Sequence, residues 1–271
     1  MLWMLAAILI CGASVFTACS SNDDNSFQPV VQVGIDKTNF PDDNFWNYLL
    51  EQDYGKDGVL TEAEIRNITV MDVSEKEIKS LKGIEYFTAL RTLNCSDNEL
   101  TELDISGNTA LDTLDCSYNE LTALDVSKNT ALRSLDCGFN ELTALDISKN
   151  TALTYLYCGF NELTSLDLSK NMALEELLCF KNQISGQNMD ALIGSLRQNE
   201  SEEFCAFYVM DGNEPNQNVC TKSQAAAAKA KGWLPQYWDE DEKAWLEYEG
   251  SEPIHSRTDP NVYEKYIEQI E

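Results

Sequence analysis

Hydrophobic positions recur with a fixed period through the middle of the chain. Five leucines, spaced 21 residues apart, start copies that read Leu-x-x-Leu-x-Cys-x-x-Asn-x-Leu, the last copy ending in Ile. They are Leu90, Leu111, Leu132, Leu153 and Leu174. One such unit is too short to bury its apolar side alone, so units of this kind stack into a solenoid with a continuous core. The pattern therefore predicts a repeat solenoid over residues 68–194.

Each column of the repeat has a predicted structural role. The alternation Leu-x-Cys predicts a short strand that turns its Leu and Cys side chains inward. The Asn amides are expected to bond backbone groups where the chain leaves the strand. A second motif, Leu-x-x-Leu-x-Ile/Val-x-x-Asn, follows in the same unit, so we expect the opposite side to be extended as well, without α-helices. The Asn column comprises Asn98, Asn119, Asn140, Asn161 and Asn182.

The repeat resembles the leucine-rich-repeat pattern, with Cys in place of the third Leu. The resulting fold class is an α+β repeat solenoid. It has leucine-rich repeats of 21 residues, mostly extended on both faces, and helical caps at its N- and C-terminal ends. Because both ends are predicted to be capped, we expect a monomer.

The cysteines of the repeat are predicted to be buried and free. In-register side chains on neighbouring strands point the same way, which is poor geometry for a disulfide, and a buried free Cys behaves as a small hydrophobe. A metal-binding ladder is the alternative, although a row of thiols does not make a tetrahedral site. Cys205 and Cys220 lie outside the column and are candidates for a disulfide. The column comprises Cys95, Cys116, Cys137, Cys158 and Cys179.

The side chains beside the inward positions grade from polar and acidic to aromatic along the solenoid. Six aromatic residues are candidates for one exposed partner-binding patch, since such patches mark interaction sites. The alternative is that they pack against the neighbouring turn. They are Tyr118, Phe139, Tyr155, Tyr157, Phe160 and Phe180.

Two sets of acidic residues suggest chemistry. Asp104, Asp125, Asp146 and Asp167 recur in one column, either as turn caps, which we favour, or as a calcium site. Asp115 and Asp136 are a candidate acid pair for a hydrolase. We do not favour that activity, because an open face is not expected to desolvate a general acid.

The amino-acid composition argues against several classes of function. The 271 residues include 46 acidic and 19 basic side chains, which give a net charge of -27, so a nucleic-acid binder is excluded. A single His makes a His-based triad or multi-His metal site improbable.

The N-terminal residues predict where the protein is located in the cell. Residues 1–18 are uncharged and apolar, and they end in Phe16-Thr17-Ala18-Cys19, which resembles a bacterial lipobox with Cys19 as the lipidated residue. The alternative is a short apolar helix. Residues 19–35 are predicted to form a flexible acidic tether. This start indicates a protein anchored by lipid in the outer membrane and exposed at the cell surface.

Residues 36–67 predict a helical N-terminal cap that resembles an EF-hand. Asp53, Asp57 and Glu64 take three of its ligand positions, and Gly58 takes the sharp turn. Gly55 stands where a further ligand is usual. A calcium site is therefore one prediction for this segment, and a turn that only caps the solenoid is the other.

Residues 195–250 predict a C-terminal α/β cap whose tryptophans cover the last turn or stack on sugars, and residues 251–271 an acidic tail. With the Cys19 motif, the tether and the repeat, these segments resemble leucine-rich-repeat lipoproteins of Bacteroides-type bacteria. The resemblance implies a non-enzymatic surface protein whose repeat face binds a protein partner, in adhesion or host interaction. A glycan-binding lipoprotein is the alternative, followed by a secreted hydrolase, and a purely structural role also fits.

Overall fold

A computed structural model describes residues 32–201, 204–211, 218–239 and 241–250 of the chain. The predicted signal peptide, the lipidation residue Cys19, most of the tether and the acidic tail lie outside the described residues. Within the described ranges, no helix combines the length and the apolar character that a membrane span requires.

Short strands dominate the fold. The helices are α1 (Asp43–Glu51), α2 (Glu62–Asn67), α3 (Gly186–Ser195) and α4 (Lys222–Ala230). The strands are β1 (Gln32–Gly34), β2 (Val59–Thr61), β3 (Val70–Asp72), β4 (Thr92–Asn94), β5 (Thr113–Asp115), β6 (Ser134–Asp136), β7 (Tyr155–Tyr157), β8 (Glu176–Leu178), β9 (Cys205–Asp211), β10 (Trp233–Asp239) and β11 (Ala244–Glu247).

The strands from β3 to β11 form one sheet in chain order, nine strands wide. Pairing is parallel from β3 to β10, and β11 returns antiparallel to β10. Strands β4 to β8 pair in register, so each turn of the coil repeats the last. The middle leucine of each of these strands is buried in one continuous core. The chain is therefore a repeat solenoid, as predicted.

The opposite side of the solenoid differs from the prediction. Within the described repeats it carries no hydrogen-bonded strand and consists of turns. Its backbone N–H groups are used locally: Ser106 donates to Asp104 Oδ1, Asn108 to the Ile105 carbonyl and Leu111 to the Asn108 carbonyl. Between these turns lie residues with no assigned helix or strand, such as 102–105, so this side forms no second sheet ladder and is less regular than the strand side.

The Asn column that follows the strands forms the predicted internal ladder, which we call the strand ladder. The Asn119 amide donates to the carbonyls of Cys95 and Cys116 at 3.0 and 3.2 Å. It also donates to the Ser117 carbonyl at 3.0 Å, and its Oδ1 accepts from the Leu100 N–H at 2.9 Å. One side chain thus satisfies backbone groups of two successive turns, which makes the stacking specific.

A second column, the turn ladder, joins successive turns on the opposite side through its amide N–H groups. The Asn129 amide donates to the carbonyls of Ile105 and Asn108 at 3.0 and 2.9 Å. Its four members are all buried: Asn108, Asn129, Asn150 and Asn171. Because each amide reaches back one turn, the spacing of the coil is fixed on both sides of the core.

The cysteine column is buried and free, as predicted. The Cys116 thiol donates to the Asp136 carbonyl of the next turn at 3.4 Å, and burial raises its pKa well above the ordinary value. Cys205 and Cys220 are also free thiols in the structure. The column therefore packs as part of the core.

The N-terminal end contradicts one predicted boundary. Strand β1 lies within the segment 19–35 that was predicted to be a flexible tether, and it pairs antiparallel with β2. Val33 and Ile35 are buried in the core, so their alternating apolar side chains fix this end of the segment. Asp42 caps α1 and also accepts from the backbone of Lys79, which ties the cap to the first turn.

At the C-terminal end, β9 and β10 extend the parallel sheet, and α3 and α4 contact each other. Asn218 occupies the position that the strand-ladder Asn of a further repeat would take. It accepts from the Ile184 N–H at 2.9 Å and donates to the Cys179 carbonyl at 2.7 Å. Trp233 is fully buried, as the prediction of a lid requires. The cap thus continues the hydrogen bonding of the solenoid instead of only covering it.

Replacing Asn140 by Leu should lower the free energy of unfolding by about 3 kcal/mol, because buried backbone groups of two turns lose their partners. Replacing the exposed Thr143 by Ala should change it by less than about 0.5 kcal/mol. Urea denaturation of the three proteins measures the difference. Equal stability of the two variants would contradict a structural role for the strand ladder.

Candidate interaction face

The first and third residues of strands β4 to β8 point away from the core and form what we call the outward face. Over β4 to β6 both residues of each strand are partly exposed, whereas over β7 and β8 the third residue is buried. These residues are Thr92, Asn94, Thr113, Asp115, Ser134, Asp136, Tyr155, Tyr157, Glu176 and Leu178. The face carries carboxylates and aromatic rings but no Lys or Arg.

Tyr118, Phe139 and Phe160 form a stacked aromatic column along one edge of this face. The ring centroids of Tyr118 and Phe139 are 4.0 Å apart, and those of Phe139 and Phe160 are 3.9 Å apart. The planes of each pair are within 13° of parallel. All three residues are partly exposed. The rings therefore cover one another's faces and present their edges to solvent.

The aromatic column stands at backbone positions that side chains of this size rarely occupy. Tyr118, Phe139 and Phe160 have φ values of 50°, 52° and 53°, in the left-handed region. This conformation costs roughly 1–2 kcal/mol per residue, and a stacked aromatic pair returns about 0.5–1.5 kcal/mol. The same backbone positions hold Asp97 before the column and Lys181 after it. The turn geometry is therefore a property of the repeat, and aromatic residues at this position stack because the repeat places them in register.

Two of the predicted patch residues are not exposed. Tyr157 and Phe180 are each only 1% exposed to solvent. Together with Leu178 and Trp238 they form a second apolar cluster on the outward face. Phe180 packs against Trp245 with ring centroids 5.1 Å apart. For these two residues the expectation of an exposed patch is wrong, because β10 and β11 bring Trp238 and Trp245 over them. The role in partner binding of Tyr118, Phe139, Tyr155 and Phe160 stays a prediction.

Trp238, Trp245 and Tyr208 are residues of this face that the sequence did not assign to it. Tyr208 and Trp245 have ring centroids 4.6 Å apart, and Trp238 and Trp245 5.6 Å. Trp233 and Trp238 stand five positions apart, an odd spacing that places them on opposite sides of one strand. That spacing was a usable signal, and the register shift between Gln236 and Tyr237 leaves it intact, because the extra residue, Val209, lies on β9.

Asp115 and Asp136 lie directly opposite each other on β5 and β6. Burial, followed by repulsion from Asp115, raises the pKa of Asp136 from its ordinary value of 3.8 to about 8. The expectation that an open face does not desolvate these acids is therefore wrong for Asp136. On the next strand its register partner is the buried Tyr157, so Asp136 stands where the polar part of the face meets the aromatic part.

The acidic column on the opposite side caps turns, as we favoured. Asp125 Oδ1 accepts from the Ser127 N–H at 2.8 Å, and hydrogen bonds from Ser127 hold the pKa of Asp125 below its usual range. The same bond recurs at Asp104, Asp146 and Asp167. Part of this column lines a groove of about 910 Å³ with Glu85, Glu102 and Lys82.

The three acids of the EF-hand-like segment have local partners. Asp53 pairs with Lys56, Asp57 Oδ1 accepts from the Val59 N–H at 3.0 Å, and Glu64 caps α2 by accepting from Thr61. No three metal-binding side chains converge anywhere in the described ranges. The donor set as placed does not fit calcium, and calcium binding by this segment stays a prediction.

Together, the register of the sheet and the two Asn ladders define a leucine-rich-repeat solenoid. Among solved structures, the chain is similar to the functional domain of InlJ from Listeria monocytogenes, which includes a cysteine ladder. The two share 33% sequence identity with a TM-score of 0.56, over 70% of this chain and 39% of that one. This chain likewise has a column of buried cysteines, one in each of its repeats.

An internalin, InlF, from the same organism has 24% identity and a TM-score of 0.54, over 74% of this chain and 56% of that one. This chain thus spans well under two thirds of the length of either structure, and the second likeness concerns the fold alone. No protein-family model matches the chain, and no curated protein matches it.

The pKa of Asp136 predicts a pH dependence of stability. The folded value of about 8 lies above the ordinary 3.8, so the folded state binds more protons between these pH values and stability falls as pH rises from about 4 to about 8. Replacing Asp136 by Asn should therefore raise the free energy of unfolding at pH 9 by about 2 kcal/mol, discounted for the water that reaches the carboxylate. Denaturation across this pH range measures it.

Asp125→Asn is the matched control, because it removes the same charge from a position where the folded pKa is lowered. It should not raise stability at alkaline pH. A gain of similar size in both variants would mean that general charge repulsion, and not the burial of Asp136, is responsible.

Proposed function

We propose that this chain is a non-enzymatic cell-surface lipoprotein whose leucine-rich-repeat face binds a protein partner, in adhesion or host interaction. The observation that carries the proposal is the outward face itself. It combines partly exposed aromatic rings and carboxylates on one sheet, whereas the rest of each repeat is occupied by core and turns. Aromatic anchors on a rigid surface are typical of protein interfaces.

The similarity to InlJ supports the proposal at the level of architecture. Lipid attachment at Cys19 and an outer-membrane address rest on the N-terminal sequence alone. In that arrangement acyl chains hold the N-terminal end at the membrane, and the solenoid presents its face to the surroundings.

A protein fits this face better than a glycan does. Sugars stack on the faces of aromatic rings, and the faces of Phe139 are covered by Tyr118 and Phe160. The far side of Phe160 faces Lys181, whose Nζ lies 5.9 Å from the ring centroid. The exposed ring edges suit lateral contacts with apolar side chains of a protein.

A hydrolase based on Asp115 and Asp136 is the weaker alternative. Both carboxylates cap their own turns: Asp115 Oδ1 accepts from Ser117, and Asp136 Oδ1 accepts from the Gly138 N–H at 3.0 Å. Asn94 makes the same bond to Ser96 one turn earlier, at 3.0 Å. The pair is thus the local form of a structural bond that recurs along the solenoid.

The binding test uses soluble protein from residue 20 onward, offered to arrays of extracellular matrix proteins and of glycans. We expect a protein to be retained and its affinity to fall about tenfold in Tyr155→Ala and in Tyr118→Asn, which tolerates the left-handed backbone. Met172→Ala is the control, because Met172 is 60% exposed and lies in a turn outside the outward face. Retention of glycans alone, or equal losses in all three variants, would contradict the proposal.

A further inference from the structure

A groove of about 910 Å³ lies on the side of the solenoid opposite the outward face and crosses three successive turns. A cleft of this volume is large enough to hold several side chains of a ligand. We call it the acidic groove. Its charged lining residues are Lys82, Glu85, Glu102, Asp104 and Asp125.

At this groove the chain departs from its own repeat at two positions, and both changes make the groove more negative. Glu102 stands where the three following turns have Ala or Ser, and Gly107 stands where they have Lys. A Cβ at Gly107 would lie 3.0 Å from the Cβ of Glu85, so a Lys there would crowd Glu85. The corresponding residues of the following turns are Ala123, Ala144, Ser165, Lys128, Lys149 and Lys170.

The charges of the acidic groove are not balanced within it. One lysine and four acids line it, and within the described ranges the ion pairs of the structure involve none of these five residues. Hydrogen bonds from Ser106 hold the pKa of Asp104 below its usual range, and those from Ser127 do the same for Asp125. Both carboxylates are therefore charged at neutral pH, and the groove is complementary to a cationic partner.

The backbone along the groove is available for hydrogen bonding. In the part of the chain that the structure describes, the N–H and C=O groups of residues 102–104 and 123–125 make no hydrogen bond. Exposure alternates from residue to residue over 123–126, as it does in an extended chain. Extended backbone with free N–H and C=O groups can pair with a second extended chain. This feature favours a peptide segment over a small cation.

We infer that an extended, basic segment of a protein partner binds in the acidic groove, with its backbone along residues 102–104 and its cationic side chains beside Glu102 and Asp104. This site lies on the opposite side of the solenoid from the outward face. It is therefore a second interaction surface, beyond the proposed function.

Other occupants fit the groove less well. A second copy of this chain carries the same net charge of -27, and residues 1–31 of the chain contain no Lys or Arg. A metal ion is disfavoured because no three metal-binding side chains converge in the described residues. A basic segment of a different protein is the occupant that the charge of the groove selects.

The test compares three ligands by calorimetry at about 0.15 M salt. The first is a peptide in which Arg alternates with Thr, with as many arginines as spermine has charged amines. The second is the same peptide with citrulline in place of Arg, which keeps the shape and removes the charge. The third is spermine, which carries the charge without peptide groups. We expect the arginine peptide to bind, and the other two to bind at least about tenfold more weakly.

Two substitutions remove charge from the groove with little change to the fold. Glu102→Ala introduces the residue that the next two turns carry, and Asp104→Asn keeps an acceptor oxygen for the Ser106 N–H. Each should weaken binding of the arginine peptide about threefold, and the double variant about tenfold, because exposed charges contribute modestly one at a time. Thermal melting checks that the variants remain folded.

Glu141→Ala combined with Asp146→Asn is the matched control, because it removes the same two charges from a later turn outside the groove. It should weaken binding by less than about twofold, since charges beyond the screening length contribute little. No binding of the arginine peptide, equal binding of citrulline peptide or spermine, or equal weakening by both double variants would overturn the inference.

This inference and the proposed function fail separately. Tyr155→Ala changes the outward face and should bind the arginine peptide as the unsubstituted protein does. If Tyr155→Ala lost the peptide while the groove variants kept it, the groove site would be overturned and the peptide would be located on the outward face. Peptide binding that depends on the groove, with no protein dependent on Tyr155, would overturn the proposed function alone.

Discussion

The structure depends on hydrogen bonds between buried asparagine amides and the backbone of neighbouring turns. A solenoid of short strands leaves many backbone groups at the bends, and such groups are costly when they are buried without partners. Asn140 alone joins the carbonyls of Cys116 and Cys137 and the N–H of Leu121. Because every turn repeats this arrangement, the coil keeps a constant spacing, and all other columns of side chains inherit that register.

The outward face follows from the same constraint. In each turn, the residue before the ladder Asn is held in the left-handed region of the backbone. Because the turns are in register, Tyr118, Phe139 and Phe160 at this position stack on one another. The C-terminal cap uses the same bonds, since Asn218 replaces the next ladder residue. This continuity carries the sheet onward into β9 and β10. Trp238 and Trp245 then close the aromatic end of the face and leave β4 to β6 accessible.

Features that repeat along the chain were predictable from the sequence, and features that depend on a single long-range contact were not. Periodicity alone gave the solenoid, the ladder of Asn119 and its equivalents, and the buried cysteines. The burial of Tyr157 and Phe180 depends on the β10–β11 hairpin, which lies far along the chain from both residues, and no local pattern reports it. The raised pKa of Asp136 arises likewise from burial, and then from the neighbouring charge of Asp115, which only the folded sheet brings beside it.

Site-specific photo-cross-linking tests most directly whether the outward face is the binding surface. Benzoylphenylalanine would replace Ser134 at the centre of the face, where the register partner Tyr155 shows that the strand accepts a large aromatic side chain. The comparison places it at Ala144, an exposed residue in the turns of the opposite side. After irradiation with extracellular matrix proteins, we predict a covalent protein adduct from position 134 and none from position 144. Adducts from position 144 alone, or equally from both, would contradict it.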